Sequence, residues 1–375
     1  MSAMSTQNNT PNTSSIDINN LAEVEDAKLR KNTDKSYSQG QMVWRRFRSH
    51  KAAMISSVVL IIVIILAFTS IGLGDNIPGW WDKNYKSTGS VINGGVPSIA
   101  AGHPMGQDHL GRDYFAMVMR GTQQSLIIAF VVGLTSTAIG AIIGAISGYF
   151  RGWVDAVLMR MTDLVIVIPL LAIAAVLGKL SSVFTKGGIL PLAVMLGLVT
   201  WTSLARLIRG EVLSLREKEF VAAAISMGAK PSRVIFKHLL PNTIGVIVVN
   251  ATFAISAAIL LETSLSYLGF GVKAPDTSLG LLISQNEAAF TNRPWLFWWP
   301  GLMILAVTLS VNFIGDGLRD AFDPRQSGKL KKRRLLGLFG RKEALDAYAK
   351  DTAAKKKTVD TEPAKASSAG GSDVR

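Results

Sequence analysis

Residues Arg209 to Asn242 read RGEVLSLREKEFVAAAISMGAKPSRVIFKHLLPN, a polar stretch between two strongly apolar segments. A loop in that position leaves the membrane. It is rich in both charge signs and in helix formers (Ala, Glu, Lys, Leu, Arg), so it reads as a folded pair of short helices rather than a slack linker. Gly228 follows Ala222-Ala223-Ala224 and precedes Ala229-Lys230-Pro231. A glycine there ends a first helix, and Pro231 sits in the first turn of a second. Pro241 is expected to close that second helix before the next apolar run. The product is a compact helix–turn–helix knob at the membrane surface, suited to docking in a groove on a soluble partner.

Outward from the knob, apolar residues make up 49% of the 375-residue chain and fall in runs. That pattern predicts an all-α polytopic membrane protein, because a helix satisfies its own backbone polar groups in lipid. Six runs approach the roughly 20 residues that a bilayer needs. They are placed near Ala52–Ile71, Gln123–Gly148, Val154–Gly178, Ile189–Ile208, Thr243–Leu261 and Trp295–Ile314. The first is preceded by the basic, aromatic lead-in Trp44-Arg45-Arg46-Phe47-Arg48-Ser49-His50-Lys51, which puts the N-terminus in the cytoplasm. By this count the Phe150-Arg151-Gly152-Trp153 turn, the knob and the C-terminus lie on the same side. Trp80, Trp81, Trp295, Trp298 and Trp299 fall near the outer interface, where aromatic belts form.

The organisation expected is a disordered cytoplasmic tail over residues 1–43 and an N-terminal region with the first span over 44–71. An ordered extracytoplasmic segment over 72–122 follows, then a transmembrane core over 123–325 that contains the 209–242 loop. A basic disordered cytoplasmic tail covers 326–375. The first tail is no signal peptide, since no apolar core follows a short basic start. Lys331-Lys332-Arg333-Arg334 with Leu335, Leu336, Leu338 and Phe339 suits either a short amphipathic helix on the inner leaflet or a solvated tail. The net charge of +14 belongs to these flanks and tails, which points to anionic lipid headgroups rather than nucleic acid.

Several chemistries are excluded or disfavoured. With no cysteine, there is no disulfide, thiolate metal site, cysteine nucleophile or lipidated N-terminal cysteine. No phosphate-binding loop and no His-Glu-x-x-His motif are present. His103, His109, Asp108 and Asp113 are one candidate for an external metal site, set against a structural role. Within the spans, Asp155, Arg160 and Asp163 lie in the inner part of the third, with Arg160 placed to pair with Asp163 at i, i+3. Arg206 and Arg209 lie at the inner end of the fourth, and Asp316 just past the sixth. These charges read either as structural ion pairs at the cytoplasmic rim or as gating pairs. The middle of the membrane is expected to carry no charge, which argues against a proton relay or voltage sensor. Asp163 and Asp316 are the only pair available to an intramembrane aspartyl protease, and both sit near the inner edge without that class's motifs. A membrane-embedded hydrolase and a passive channel are the readings set against a transporter.

Ala223-Ala224, then Gly228, then Leu240-Pro241 resemble the EAA loop of bacterial ABC-importer permeases. The rest of the chain resembles the C-type permease subunit of dipeptide, oligopeptide or nickel importers. His103-Pro104-Met105-Gly106-Gln107-Asp108-His109-Leu110-Gly111-Arg112-Asp113 looks like that family's external signature His-Pro-x-Gly-Thr-Asp-x-x-Gly-Arg-Asp. Gly148-Tyr149 through Gly152-Trp153, Asp155, Met159-Arg160, Asp163 and Pro169 match a second block. Glu262, Leu265-Ser266, Leu268-Gly269, Gly271 and Pro275 match a third. Asn312, Gly315-Asp316-Gly317-Leu318-Arg319-Asp320 and Asp323-Pro324-Arg325 match the last. Two positions depart from the pattern: Ala222 stands for the glutamate of Glu-Ala-Ala, with Glu217 and Glu219 nearby on the same loop, and Gln107 stands for threonine.

The resemblance implies a heteromeric importer in the bacterial cytoplasmic membrane. A second homologous permease completes the pathway, and two cytoplasmic ABC ATPases bind ATP and Mg. An extracytoplasmic substrate-binding protein delivers a peptide, and this chain holds no cofactor and is not itself an enzyme. It also implies that the region holding Glu217, Glu219, Ala223, Ala224, Gly228, Ala229, Lys230, Leu240 and Pro241 couples to an ATPase. The external signature, with His103, Pro104, Gly106, Asp108, Gly111, Arg112 and Asp113, faces the binding protein's side. Asp155, Arg160, Asp163, Asp316 and Arg319 form the cytoplasmic rim.

Overall fold

A computed structural model describes residues 38–72, 78–184 and 189–323. The two tails, including the 331–339 segment, lie outside the described residues apart from the stretch that begins at Ser38. The described chain is helical and carries no β-strand. Helix α1 (Gln39–Ser49) leads to α2 (Lys51–Ser70), α3 (Tyr114–Phe150), α4 (Gly152–Val167), α5 (Leu170–Phe184), α6 (Ile189–Thr200) and α7 (Thr202–Arg216). Then come α8 (Glu219–Ser226), α9 (Pro231–Arg233), a π-helical stretch (Val234–Leu239) and α10 (Leu240–Asn242). The chain ends with α11 (Ile244–Tyr267), α12 (Leu279–Asn286) and α13 (Trp295–Phe322).

Four helices (α2, α3, α11, α13) are long and apolar enough to cross a membrane, and up to six spans result if each of two bent pairs counts as one. With each pair counted as one, the six spans expected are all found, and two of them are bent. Helices α4 and α5 meet at 89°, because Pro169 forces Ile168 into extended backbone (φ −75°, ψ 129°) and stops α4 there. Helices α6 and α7 meet at 46° beside Trp201. A hydropathy window sees neither bend, since the apolar run continues through both.

Helix α3 has 37 residues, roughly 55 Å at the helical rise, and begins well before the position that apolarity alone marks. It is the central rod. Its small residues make this possible: Gly140, Gly144 and Gly148 recur every fourth residue and face the backbone of α7. A Cβ on them would lie 2.8 Å from the Trp201 carbonyl oxygen, 2.4 Å from that of Ala205 and 2.9 Å from that of Arg209. Small-residue stripes of this kind let helix backbones approach closely where lipid gives no hydrophobic push. Tyr114, Met117, Met119, Ile128, Leu196, Ile259, Leu265, Leu279, Leu282 and Leu296 bury their side chains around the rod's other half.

The two ends of the bundle are distinct. At one end Phe47 of α1 is buried against Ala53 and Ala321. The Arg46 guanidinium donates to the carbonyls of Ala321 (3.3 Å) and Asp323 (3.2 Å), capping acceptors that the end of α13 leaves free. The 209–242 knob sits at this end too, since Gly245, just beyond it, lies against Phe322. At the other end the 78–113 segment forms a cap. There Trp81 packs on Phe115 (ring centroids 4.7 Å apart), and the Tyr114 hydroxyl reaches the Leu296 carbonyl.

Candidate functional site

The knob has a small core of its own. Val221 on α8 and Val234, Ile235 and Leu239 beyond the turn are buried against Ile208 and Val212 of α7 and Ala145 of α3. Ala224 is buried while Ala222 and Ala223 are exposed, so α8 turns Val221 and Ala224 to the bundle. Gly228 makes the turn with φ +79°, a left-handed conformation that glycine adopts without strain. Its N–H donates to Ile225 (2.9 Å), and that of Ala229 donates to Ala224 (3.1 Å), closing α8 as a helix end requires. Pro231 occupies the first turn of α9, as the sequence predicts. Pro241 does not close the second helix: helical backbone runs on to Asn242. The proline, which has no N–H to give, lies at the start of α10, directly beyond the π-helical stretch. Leu240 and Pro241 floor an apolar recess of about 480 Å³, shared with Ala138, Ala141 and Ile142 of α3 and Ile244 and Ile247 of α11.

The knob's root is held by charge. Arg209 forms two bonds to Asp155, each 2.6 Å, and the Ser147 hydroxyl also donates to Asp155. Arg206 pairs with Asp163 at 2.5 Å. Both pairs join α4 to α7. The expected Arg160–Asp163 pair within α4 is therefore not formed; Arg160 is exposed and makes no ion pair among the described residues. Asp316 and Arg319 are likewise exposed on α13 without an ion pair among the described residues, so the rim is an α4–α7 feature and does not extend to them. Glu217, at the end of α7, is engaged by Arg151 of the α3–α4 turn, while Glu219, exposed at the start of α8, has no ion pair among the described residues.

At the opposite end the 103–113 signature is a self-consistent brace. Asp113 caps α3 by accepting the Ala116 N–H (2.9 Å), takes the Trp81 indole N–H (2.8 Å) and holds His103 Nδ1 (2.7 Å). The other nitrogen of His103 faces Lys83 at 3.2 Å. Asp108 accepts the N–H groups of Leu110 (3.0 Å) and Arg112 (2.8 Å) and the Arg112 Nε–H (2.6 Å). Gly106 lies so close to Gly95 that a Cβ would sit 2.5 Å from its carbonyl oxygen. Pro104 is half-buried, and Gly111 turns the chain against Gly89. Gln107, where threonine is the family pattern, accepts from the Ile92 N–H (2.8 Å) and donates to the carbonyls of Ser90 (3.3 Å) and Gly111 (3.0 Å). A threonine side chain is too short for all three. Of the four residues considered for an external metal, His103 and Asp113 bind each other, His109 is exposed, and no set of three ligating side chains comes together among the described residues.

Two latches under the cap escape a sequence reading. Arg120 grips Asp276 through two bonds (2.8 and 2.9 Å), with Gln124 adding a third (2.9 Å). Glu262 is fully buried within α11 and accepts from the hydroxyls of Ser125 (2.9 Å) and Ser266 (2.6 Å), with Ser278 as a third partner. The span expected from hydropathy ends at Leu261, one residue short of it. Glu262 lies near the cap-side end of α11, away from the middle of the helix. The signal was its place between Leu261 and Leu265, with a serine at i+4.

Comparison with known proteins bears on both ends. Residues 140–328 match the family described as binding-protein-dependent transport system inner membrane component. Residues 38–75 match the N-terminal TM domain of oligopeptide transport permease C. The oligopeptide transport system permease protein OppC of Mycobacterium bovis is 36% identical over 76% of this chain and 95% of that protein. OppC of Bacillus subtilis is 35% identical over 78% of this chain and 91% of that protein. A putative peptide permease of Brucella ovis is 38% identical over 75% and 89%. Among solved structures, an inward-facing form of the MetNI methionine ABC transporter aligns with 55% of this chain and 97% of that chain, at 21% identity and a TM-score of 0.45. On the family match and these relatives, the chain belongs to the binding-protein-dependent transport inner membrane components, as a multi-pass permease of the inner membrane and not a catalytic subunit.

Proposed function

We propose that this chain is one of two permease subunits of an ATP-driven importer of dipeptides or oligopeptides, and that the 209–242 knob passes motion from a cytoplasmic ATPase to the spanning helices. The observation that carries this is the build of the knob. It is a projecting element with its own core, and it is fastened by a backbone-to-backbone contact and two ion pairs to α3 and α4. A push on such an element moves helices rather than being lost in a loop. Ala223, Ala224, Gly228, Ala229 and Lys230 form the docking turn, with Glu219 beside them and Leu240 and Pro241 at the return. ATP and Mg are held by two ATPase partners. The second permease closes the pathway, and an extracytoplasmic binding protein meets the cap built on His103–Asp113. Both termini lie in the cytoplasm. The peptide assignment is supported by the relatives, which are named as oligopeptide and peptide permeases. Asp155–Arg209 and Asp163–Arg206 are the pairs that rearrange as the helices swing.

The test is crosslinking from a single cysteine placed at Ala229, in a chain with no native cysteine, to the ATPase subunits of its complex in membranes. A crosslink whose yield changes with ATP is expected. No crosslink to an active ATPase would refute the coupling role.

A further inference from the structure

The charges on the knob describe the surface that receives it. The family's glutamate position is Ala222, which is exposed. Of the nearby acids, Glu217 is occupied by Arg151 and Glu211 is half-buried on α7. Glu219 alone is exposed near the turn without an ion pair among the described residues, in the first turn of α8, where a helix end favours it. Across the Gly228 turn the picture reverses. Lys230, Arg233 and Lys237 are all exposed, and none has a carboxylate partner among the described residues. They lie along one strip, because Val234, Ile235 and Leu239 turn into the knob's core. Between and beside them Phe236 (59% exposed) and Met227 (82% exposed) present apolar surface. Covering three cations with a partner that offers no counter-charge leaves them desolvated and unpaired, which opposes docking. A tight dock on this face needs acids opposite it.

Resting on the coupling role given above, we infer that the ATPase groove that takes this knob has an apolar floor for Met227 and Phe236 and an acidic rim facing Lys230, Arg233 and Lys237. The chain is thereby matched to an acidic-rimmed ATPase and mismatched to one whose groove carries a basic residue for the family's glutamate.

The importer, purified through a tag on this chain, provides the test. Arg233→Glu/Lys237→Glu should lower ATPase retention at low salt by at least about tenfold, while the second permease stays bound. The neutral pair Arg233→Gln/Lys237→Gln should lower it less and flatten its dependence on salt. Wild-type retention and salt dependence in the reversed variant, with the Ala229 crosslink still forming, would overturn the acidic rim and leave the coupling role standing. An unmodified knob that never crosslinks would sink the coupling role itself. If the reversal instead weakens binding to vesicles rich in anionic lipid and leaves ATPase retention unchanged, the strip belongs to headgroups and the inference fails. Should the reversed chain not reach the membrane, the neutral pair decides: an unchanged salt curve overturns the proposal.

Discussion

Gly144→Ala sets two effects of opposite sign against each other at the root of the knob. Alanine is the better helix former by roughly 1 kcal/mol, so propensity alone predicts a gain. The added Cβ, however, would lie 2.4 Å from the Ala205 carbonyl oxygen, 2.9 Å from Ile208 Cβ and 3.1 Å from the Arg209 nitrogen. Comfortable carbon–oxygen contacts between helices begin near about 3.3 Å, so α7 has to withdraw by roughly 1 Å. None of the three atoms is the end of a flexible side chain, and no rotamer change relieves the clash. Overpacking of this kind costs about 1–3 kcal/mol, which exceeds the propensity gain. The displacement also falls where Arg209 holds Asp155 and where Ile208 and Val212 support the knob. Gly210→Ala is the control: it lies on α7 with nothing within 4 Å of a Cβ, so only the propensity gain applies. In the full complex in proteoliposomes, Gly144→Ala should insert and assemble, melt lower, and hydrolyse ATP with reduced peptide uptake. Gly210→Ala should transport normally. Equal uptake by the two variants, or a Gly144→Ala chain as stable as wild type, would refute the zipper argument.

Other perturbations read different parts of the same path. Gly228→Trp places a bulky, left-handed residue where nothing lies within 4 Å, so uptake should vanish while membrane insertion, followed by protease accessibility, is intact. Asp155→Asn should cost about 1–2 kcal/mol, because it strips a partly buried two-bond partner from Arg209. Asp163→Asn, whose pair with Arg206 is roughly half exposed on both sides, should cost under about 1 kcal/mol; thermal unfolding in detergent orders the two. Gln107→Thr removes two ties from the signature to Ser90 and Ile92 and one within it to Gly111, each worth about 0.5–1.5 kcal/mol net. Proteolysis of the 78–113 segment should quicken without loss of the spanning core.

The parts of this architecture that were legible in the sequence are those set by local chemistry. Gly228 and Pro231 mark a turn because a left-handed residue and a missing N–H act within a few residues, and the structure places both as read. Hydropathy finds α2, α11 and α13 because burial in lipid is a property of a run. Pro241 departs from its local expectation because its effect depends on what precedes it: a π-helical stretch lies directly before it. The rim pairs depart from their local expectation for a related reason. Spacing within α4 offered Arg160 to Asp163, but the break at Pro169 swings α4 against α7, and the partners that win come from a helix more than 40 residues away. Glu262 shows the same limit from the other side. A carboxyl flanked by leucines looks like the end of a span until Ser125 and Ser278, from two other elements, supply the hydroxyls that let it stay inside.

These long-range pairings give the fold its mechanical sense. Helix α3 carries Ser125 and Arg120 toward the cap end and Gly144 and Ser147 toward the knob end, so one rod holds both Glu262 and the Asp155–Arg209 pair. At the cap end the Glu262 bonds are fully enclosed, whereas the knob-end pairs, like Arg120–Asp276, are partly open to solvent. Water competes for the second set and not for the first. Under load from the knob, the α4–α7 pairs therefore yield before the Glu262 knot does. The sequence of movement expected is α7 against α4 first, with α3, α11 and α12 travelling together as one body.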